Sequence, residues 1–256
     1  MELPESMSYL YKYRPVNKKS IEILIKQKLF FAKTIKFNDP FDGRLLPRNF
    51  MSELKELGYS VNEDDISKHE SFVSDRLNGY GVLSLSRSCK DILMWSHYAD
   101  SHKGFCLGFK DDLRNFFYDF DCPVRQESVK YENEHPFRNI HKDWISKNRF
   151  NSNDVFFDYA EMSVALLDAA ITVKHSSWRY EQEERIISEV DGLHSFHAEA
   201  LDRIVLGMNM SQENEATIIS LLGNEQWRHV RLYRAKRGKA ALSIDVEPIE
   251  DSKSCS

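Results

Sequence analysis

The residues of this chain that could act together in chemistry form three short polar groups that lie far apart in the sequence. They are Arg14, the pair Ser84 and Ser86, and the pair Glu181 and Glu183. A guanidinium is a planar, permanent cation that suits a diphosphate, and a serine hydroxyl can position a sugar or a carboxylate. A carboxylate stabilises the positive charge that develops on a ribose when its glycosidic bond breaks. The three groups together predict cleavage of a glycosidic bond, provided that the fold brings them to one cleft.

The two glutamates are expected on a strand. The segment from Ser177 to Ile187 contains Trp, Tyr and a double Ile, which favour β-structure. Side chains alternate along a strand, so Glu181, Glu183 and Arg185 would share one face. Because unpaired buried charges are costly, this row lies either on a solvated sheet face or in a polar cleft where the charges have a function. A lone Glu-x-Glu favours the solvated face, and the polar groups upstream favour the cleft.

The arginine is expected at the end of another strand. Residues 8–14 are rich in Tyr, and Pro15 favours an extended conformation for Arg14. Lys12 would project from the same face as Arg14 and add a second cation. An amphipathic helix is predicted directly after this strand, at 18–28, because its apolar residues recur at helical spacing.

The remaining apolar patterns predict a mixed succession of strands and helices. Strands are predicted at 29–33, 81–87, 104–109, 124–131, 201–206, 229–234 and 241–247. Helical spacing and capping residues predict helices at 48–57, 63–77, 91–99, 153–172 and 211–223. The strands do not alternate regularly with helices and the sequence contains no repeat, so the predicted class is α+β.

The composition is that of a soluble globular protein. The chain has 256 residues, of which 41% are hydrophobic and 29% charged, and it contains no low-complexity tract. We predict a single domain over 1–256, with helical insertions at about 45–80 and 135–175. The net charge of −5 argues against a general nucleic-acid coat protein.

The cysteines and the apolar tracts predict a cytoplasmic protein. No Cys-x-x-Cys spacing and no secretory signal are present, so free thiols in a reducing compartment are expected for Cys89, Cys106, Cys122 and Cys255. The longest apolar tract, 163–173, is interrupted by Asp168 and is too short to cross a bilayer, so no membrane partner is expected.

Five sequence blocks in a fixed order resemble a bacterial family catalogued as a domain of unknown function. The blocks are YKYR at 11–14, FNDPFD at 37–42, SLS at 84–86, MWSHYA through GFCLGF at 94–109, and WRYEQE at 178–183. The resemblance covers roughly residues 9–207 and implies no activity.

The order of the three polar groups is similar to the Arg, Ser, Glu order of mono-ADP-ribosyltransferases, which include small toxins that modify nucleic acids. This resemblance implies a split β-sheet that holds NAD in a cleft and breaks the nicotinamide glycosidic bond. Glu183 would stabilise the ribose cation, and Glu181 would engage the incoming nucleophile. The gaps of 70 residues from Arg14 to Ser84 and of 97 from Ser86 to Glu183 are longer than in compact members, and they require helical insertions.

Seven residues are expected to hold the NAD. The cations would bind its diphosphate, the hydroxyls would position the nicotinamide-side ribose or Glu183, and the aromatic side chains would stack on a flat ring. These residues are Lys12, Tyr13, Arg14, Ser84, Ser86, Trp95 and Tyr98. Five of them also have a structural interpretation: a surface ion pair for Arg14, plain sheet positions for the two serines, and core packing for Trp95 and Tyr98.

A metal site and a cysteine nucleophile are not expected. His97, His102 and Cys106 straddle a helix end and a strand without the usual spacing of metal ligands. Cys106 lies in a predicted buried strand, where a thiol is inert.

The segment 228–239 is the predicted nucleic-acid contact, because it contains six Lys or Arg residues and no acid. The basic residues would contact phosphates and the tyrosine would stack on an unpaired base. The contact residues would be Arg231, Tyr233, Arg234, Lys236 and Arg237. A solvated strand and turn is the alternative interpretation.

Two functions of different classes remain open at this stage. The first is an NAD-dependent toxin that transfers ADP-ribose to nucleic acid, with RNA favoured, or to protein. Such an enzyme would harm a bacterial cell, so the resemblance implies an antitoxin partner and a role in phage defence or growth arrest. The second is a non-catalytic ligand-binding or regulatory module of the same fold. A nuclease is a weaker third possibility, because it would need a further carboxylate and Mg²⁺ beside the glutamates.

Overall fold

The structure combines α-helices with a mixed β-sheet, which confirms the predicted α+β class. A computed structural model describes residues 8–44, 63–118, 124–134, 137, 139–140, 143, 159–239 and 242–249. The predicted helix at 48–57 and much of the predicted insertion at 135–175 lie outside these residues.

Three of the five described helices begin where the sequence supplies a capping side chain. Asn17, Asp91 and Ser211 each accept a hydrogen bond from a backbone N–H in the first turn of the helix that follows. The described helices are α1 (Lys18–Lys26), α2 (Glu63–Gly79), α3 (Ile92–Tyr98), α4 (Tyr159–Thr172) and α5 (Gln212–Leu222). These helices confirm the predictions at 18–28, 63–77, 91–99 and 211–223, and the described part of the prediction at 153–172.

The strands form one large sheet and one small parallel pair. The large sheet has the order β12-β11-β10-β4-β1-β3-β2-β9, and β8 and β5 extend from β3; the small sheet pairs β6 with β7. The strands are β1 (Tyr9–Arg14), β2 (Lys28–Lys33), β3 (Gly81–Ser86), β4 (Phe105–Lys110), β5 (Arg125–Ser128), β6 (Lys130–Glu132), β7 (Val173–His175), β8 (Glu183–Ser188), β9 (Gly192–Ser195), β10 (Leu201–Leu206), β11 (Arg231–Arg237) and β12 (Ile244–Pro248).

The single strand predicted at 124–131 is two strands in different sheets. β5 pairs with β8 in the large sheet, whereas β6 pairs with β7. Val129 lies between them with a buried side chain, and its N–H donates to the Glu183 carbonyl over 2.9 Å. The chain therefore leaves the large sheet at this residue.

The large sheet divides at β3. One edge of β3 pairs along its length with β8, while the other edge pairs with β2 at Gly81 and Val82 and with β1 at Ser86. Ser84 lies between these two contacts, and its carbonyl accepts a hydrogen bond from Lys12 Nζ over 2.6 Å. Because a backbone carbonyl inside a protein requires a donor, the Lys12 ammonium replaces the missing strand neighbour at the split.

Alternation along β1 directs its side chains to two different clusters. Leu10 packs in a core cluster with Leu24 of α1, whereas Tyr11 and Tyr13 pack in a second cluster with Trp95 of α3. Lys12 and Arg14 share the face of Leu10 by the same alternation. The helices on the two faces thus hold β1 in place and fix the direction of its basic residues.

No helix among the described residues is both long enough and apolar enough to cross a membrane.

We expect Gly104→Ala to destabilise the fold, because this glycine lets the chain approach the end of β1. A Cβ at Gly104 would lie 2.1 Å from the Arg14 carbonyl oxygen, so the backbone would have to move. Overpacking of this kind costs about 1–3 kcal/mol. Gly79→Ala is the matched control, because nothing lies within 4 Å of the added Cβ. Urea unfolding measures the difference, and equal stability of the two variants would contradict the close approach.

Candidate functional site

A polar cleft lies where the large sheet divides, and most of the predicted site residues line it. Its described lining comes from β1, β3, α3, the loop after β2, β7 and the segment at the start of β8. The predicted residues among them are Lys12, Tyr13, Ser84, Ser86, Tyr98, Glu181 and Glu183. The structure therefore brings the glutamates and the serines together.

Glu181 does not lie on a strand, contrary to the prediction for 177–187. Ser176–Glu181 forms a 3-10 helix, Gln182 has a left-handed backbone (φ 44°), and the strand begins at Glu183. His175 Nδ1 accepts a hydrogen bond from the Ser177 N–H, and such local bonds compete with an extended conformation. The turn at Gln182 nevertheless leaves Glu181 and Glu183 within reach of the same cation.

That cation is Lys174, which lies at the centre of a buried charge cluster. Its Nζ is 2.5 Å from Glu181 Oε2, 3.1 Å from Glu183 Oε2 and 3.4 Å from Asp42 Oδ2. All four side chains are almost fully buried. Three carboxylates this close to one another would repel strongly without the ammonium between them.

Arg185 completes the cluster from two residues further along β8, on the same buried face as Glu183. It binds Glu183 through two hydrogen bonds, of 2.8 Å from Nε and 3.1 Å from Nη2, and Nη2 also donates to Asp42 over 2.6 Å. Its guanidinium lies over the Phe37 ring at 5.1 Å. We refer to Asp42, Lys174, Glu181, Glu183 and Arg185 as the charge cluster. Glu183 and Arg185 share one face of β8 as predicted, whereas Glu181 reaches the same cluster through the turn at Gln182 and not by alternation along a strand. This face is buried.

The two glutamates differ in their electrostatics. Burial raises the pKa of Glu183, but the charges of Arg185 and Lys174 outweigh it and hold this pKa well below its ordinary value. The Ser84 side chain also hydrogen-bonds to this carboxylate. Burial raises the pKa of Glu181, and Glu183 adds to the increase while Lys174 opposes it. Glu183 is thus a permanent anion, and Glu181 is the more basic carboxylate.

Tyr98 connects Glu181 to the loop after β2. Its hydroxyl donates to Glu181 Oε1 over 2.6 Å and accepts a hydrogen bond from Asn38 Nδ2 over 3.3 Å. Burial, with the hydrogen bond to Glu181, raises the pKa of Tyr98 above its ordinary value. The phenol therefore stays protonated and remains a donor to Glu181.

Arg14 lies in a groove that adjoins the cleft, and we call this the cationic groove. It has a volume of about 630 Å³, and Lys12 and Ser84 line both it and the cleft. Its described charged residues are six cations and one acid: Lys12, Arg14, Lys19, Lys26, Lys28, Lys36 and Glu22. Burial, and then the charge of Arg14, lower the pKa of Lys12 to about 8. The excess of positive charge suits a polyanion such as a diphosphate.

Trp95 does not line the cleft, so the prediction that it contacts the cofactor is wrong. Its side chain is fully buried, and its Nε1 donates to the Cys89 carbonyl over 2.8 Å. It packs edge-on against Tyr13 with ring centroids 5.2 Å apart. The indole supports Tyr13 from within the core, and only Tyr13 and Tyr98 of the predicted aromatic set reach the cleft.

The basic segment at 231–237 is β11, and most of its charges are already paired. Tyr233 is buried with 7% of its surface exposed and packs beside Arg203, so its predicted stacking on a base is wrong. Ion pairs join Arg231 to Asp202, Arg234 to Glu215, and Lys236 to Glu247. Arg237 ends the strand with an exposed side chain. The solvated strand is thus the interpretation that this segment fits better.

Sequence reasoning missed Lys174 and Asp42, which hold the two glutamates. Lys174 follows the long apolar tract and had no motif around it, whereas Asp42 ends the FNDPFD block. The structure places Asn38 and Asp42 of that block in the lining of the cleft.

The cysteines and histidines form no alternative centre in the described part of the chain. Cys89 and Cys106 are free and buried, and burial raises the pKa of the Cys106 thiol well above its ordinary value. Within the described ranges no group of three or more His, Cys, Asp or Glu side chains is arranged to hold a metal ion.

Comparison with known proteins points to a family and not to an activity. Residues 94–186 match the model of a family described as "Protein of unknown function (DUF2971)". The match runs from α3 into β8 and includes five residues of the cleft, which are Met94, Tyr98, Lys174, Glu181 and Glu183. No curated protein and no solved structure matches the chain.

We expect Lys174→Met to be strongly destabilising at neutral pH. The variant keeps the length of the side chain and leaves three buried carboxylates with Arg185 as their remaining partner in the cluster. Removal of one member of a buried ion pair costs about 3–5 kcal/mol. Protonation of Glu181, whose pKa is already raised, would relieve the repulsion. The loss measured by urea unfolding should therefore be smaller at about pH 5 than at about pH 8.

Lys26→Met provides the control for this experiment. Lys26 forms an exposed ion pair with Glu22 over 3.1 Å, and such pairs contribute less than about 1 kcal/mol. A loss for Lys174→Met that is as small as that of the control, or that does not change with pH, would contradict the role of Lys174 as the central cation.

Proposed function

We propose that this protein is an NAD-dependent mono-ADP-ribosyltransferase. The observation that carries the proposal is the continuity of the cationic groove with the cleft, since Lys12 and Ser84 line both. A bound dinucleotide needs cations beside its diphosphate and a carboxylate beside its reacting ribose. The cationic groove would supply the cations, and the adjoining cleft would supply the carboxylate. The division of the sheet at β3 is also what a split-sheet ADP-ribosyltransferase fold would provide.

In this proposal the diphosphate binds in the cationic groove beside Arg14. The groove volume of about 630 Å³ lies within the range of about 300–1,000 Å³ that is usual for ligand sites. Arg14 supplies a planar fork for the phosphate oxygens, and Lys12 adds a charge at the entrance to the cleft. Phe30, which is 46% exposed, and Leu193 give the groove an apolar wall for the adenine.

The nicotinamide ribose would then lie in the cleft against Glu183. The bond between ribose C1′ and the nicotinamide nitrogen breaks, neutral nicotinamide leaves with the bonding electrons, and positive charge develops on the ribose. Glu183 is a permanent anion, so it stabilises this charge, and Ser84 orients its carboxylate. Glu181, as the more basic carboxylate, accepts the proton of the acceptor group that attacks C1′.

We further propose that the acceptor is a macromolecule and that the enzyme is the cytoplasmic toxin of a toxin–antitoxin or phage-defence system. RNA remains the first acceptor to test, with DNA and protein as the others. Contacts of β11 with phosphates would involve Arg237 and the exposed parts of Arg231 and Lys236, whose side chains are 46% and 53% exposed.

One observation favours the second function, a non-catalytic binding module. Both oxygens of Glu183 are already engaged by Arg185, and one of them also by Lys174. A carboxylate neutralised in this way stabilises an adjacent cation less than a free one does. Such a protein would bind NAD or ADP-ribose in the same groove without turnover.

Glu183→Gln tests the proposal, with Glu184→Gln as its matched control. Both glutamates are buried in β8, but Glu184 faces away from the cleft and pairs with Arg87 over 2.9 Å. The purified variants would be incubated with labelled NAD and separate pools of RNA, DNA and protein. We expect Glu183→Gln to lower nicotinamide release and label transfer by at least about 100-fold, and Glu184→Gln to retain both.

Urea unfolding of both variants ensures that the assay compares folded proteins, because each loses one member of a buried ion pair. Equal turnover by Glu183→Gln and wild type would refute the role of this carboxylate. NAD binding by the wild type without nicotinamide release in any pool would support the binding module instead.

The affinity for ADP-ribose should fall as the pH rises through about 8. The pKa of Lys12 is about 8, and only its protonated form attracts a diphosphate. The Lys12→Gln variant should bind ADP-ribose more weakly than the wild type at low pH, and its affinity should change little with pH above about 7. Lys19→Gln, which removes another cation of the groove, should keep the dependence. Titration calorimetry between about pH 6.5 and 9 measures both, and an unchanged pH profile in Lys12→Gln would contradict the assignment.

A further inference from the structure

A third cavity adjoins the charge cluster and is distinct from the cationic groove. It has a volume of about 600 Å³ and lies among the loop after β2, the end of β6, α4, β7 and the 3-10 helix that follows β7. Asp42 and Lys174 line both this cavity and the cleft. The charge cluster therefore faces the cleft on one side and this cavity on another.

The described charged residues of the third cavity are mainly acidic, whereas those of the cationic groove are mainly basic. The described charged lining of the third cavity consists of four carboxylates and two cations, which are Asp39, Asp42, Glu132, Glu134, Arg44 and Lys174. The Lys174 ammonium is already shared among three carboxylates within 3.4 Å. The net charge of the described lining is negative, so a phosphate is disfavoured there and a cation is favoured.

Asp42 supplies an independent sign of a ligand. Only 3% of this residue is exposed, and its Oδ2 binds Arg185 and Lys174. Its Oδ1 is buried and has no hydrogen-bond partner among the residues that the structure describes. A buried polar atom without a partner costs free energy that a donor from a ligand would recover.

The apolar lining suits a cation that carries a hydrocarbon stem. Ala169, Ala170 and Val173 supply the small apolar surface, and Phe41 is 72% exposed at the cavity. The Trp178 ring already faces the Lys174 ammonium at 4.9 Å. Aromatic rings beside carboxylates are the usual environment for guanidinium and ammonium groups.

We infer that the third cavity binds an organic cation of the guanidinium or alkylammonium class. The cationic group donates to Asp42 and to the acidic rim formed by Glu132 and Glu134, and its stem packs on the apolar surface. Because Asp42 also pairs with Arg185 and Lys174, an occupant of this cavity would share a partner with the cations that hold Glu183.

Calorimetric titration of the full chain without NAD tests this inference separately from the transfer reaction. The probes are butylguanidinium and its neutral isostere butylurea. We expect butylguanidinium to bind and butylurea to bind at least about tenfold more weakly, because only the former carries a charge. The tripeptides Gly-Arg-Gly and Gly-citrulline-Gly repeat the comparison for a side chain on a peptide, and tighter binding of Gly-Arg-Gly than of butylguanidinium would assign the site to a protein side chain.

The double variant Glu132→Gln/Glu134→Gln tests whether butylguanidinium binds in the third cavity. Both residues are exposed, so the fold should be retained, and the affinity for butylguanidinium should fall about tenfold. Glu199→Gln, an exposed acid elsewhere, should leave the affinity unchanged. Absence of butylguanidinium binding, equal binding of butylurea, or an affinity that the double variant does not alter would each overturn the inference. Loss of NAD turnover in the earlier experiment would have no bearing on any of these outcomes.

Discussion

The buried ammonium of Lys174 is the interaction on which the candidate site depends. Three carboxylates converge on it, and they come from the loop after β2, from a 3-10 helix and from β8. Removal of these charges from water is expensive, and only close pairing with cations offsets that cost. Lys174 and Arg185 together therefore fix the positions of segments that are otherwise joined only by loops. Their charges hold the pKa of Glu183 below its ordinary value, whereas burial, together with the charge of Glu183, raises the pKa of Glu181 against the opposing effect of Lys174.

The division of the sheet places cavities of opposite charge around this cluster. β1 and β2 both pair with the same edge of β3 and diverge from it, and Lys12 satisfies the carbonyl that the divergence leaves at Ser84. Basic residues of β1 and α1 line the cationic groove on one side of the charge cluster. Asp39, Glu132 and Glu134 line the third cavity on another side. The carboxylates of the cluster thus lie between a basic groove and an acidic cavity.

Much of this architecture follows from local sequence rules. The capping side chains of Asn17, Asp91 and Ser211 marked helices that the structure contains, and the apolar runs marked the central strands. The prediction that Ser84 and Glu183 meet was also sound, because Ser84 and Ser86 lie on β3, which pairs with β8.

The wrong predictions share a physical cause: tertiary contacts, which are not visible in the local sequence, determine the environment of these residues. The sequence around Trp95 does not distinguish an indole that faces a ligand from one that packs in the core. In the structure the indole packs against Tyr13. The basic residues of β11 were predicted to contact nucleic acid because the segment 228–239 contains no acid. Their ion-pair partners, Asp202, Glu215 and Glu247, come from other segments of the chain. Lys174 carried no local signal, since its role comes from residues in three different segments. A left-handed residue at Gln182, for which the sequence offers no glycine, delays the start of the expected strand to Glu183.

The pairing of β4 with both β1 and β10 has a consequence for how the protein is made. β1 and β4 leave the ribosome early, but β10 completes the centre of the sheet only after residue 206 has been translated. Contacts of such long sequence separation slow folding and leave apolar strand edges uncovered while synthesis continues. A nascent chain consequently has no assembled charge cluster until Glu183 and Arg185 have emerged, so the cleft is incomplete until these residues have been synthesised.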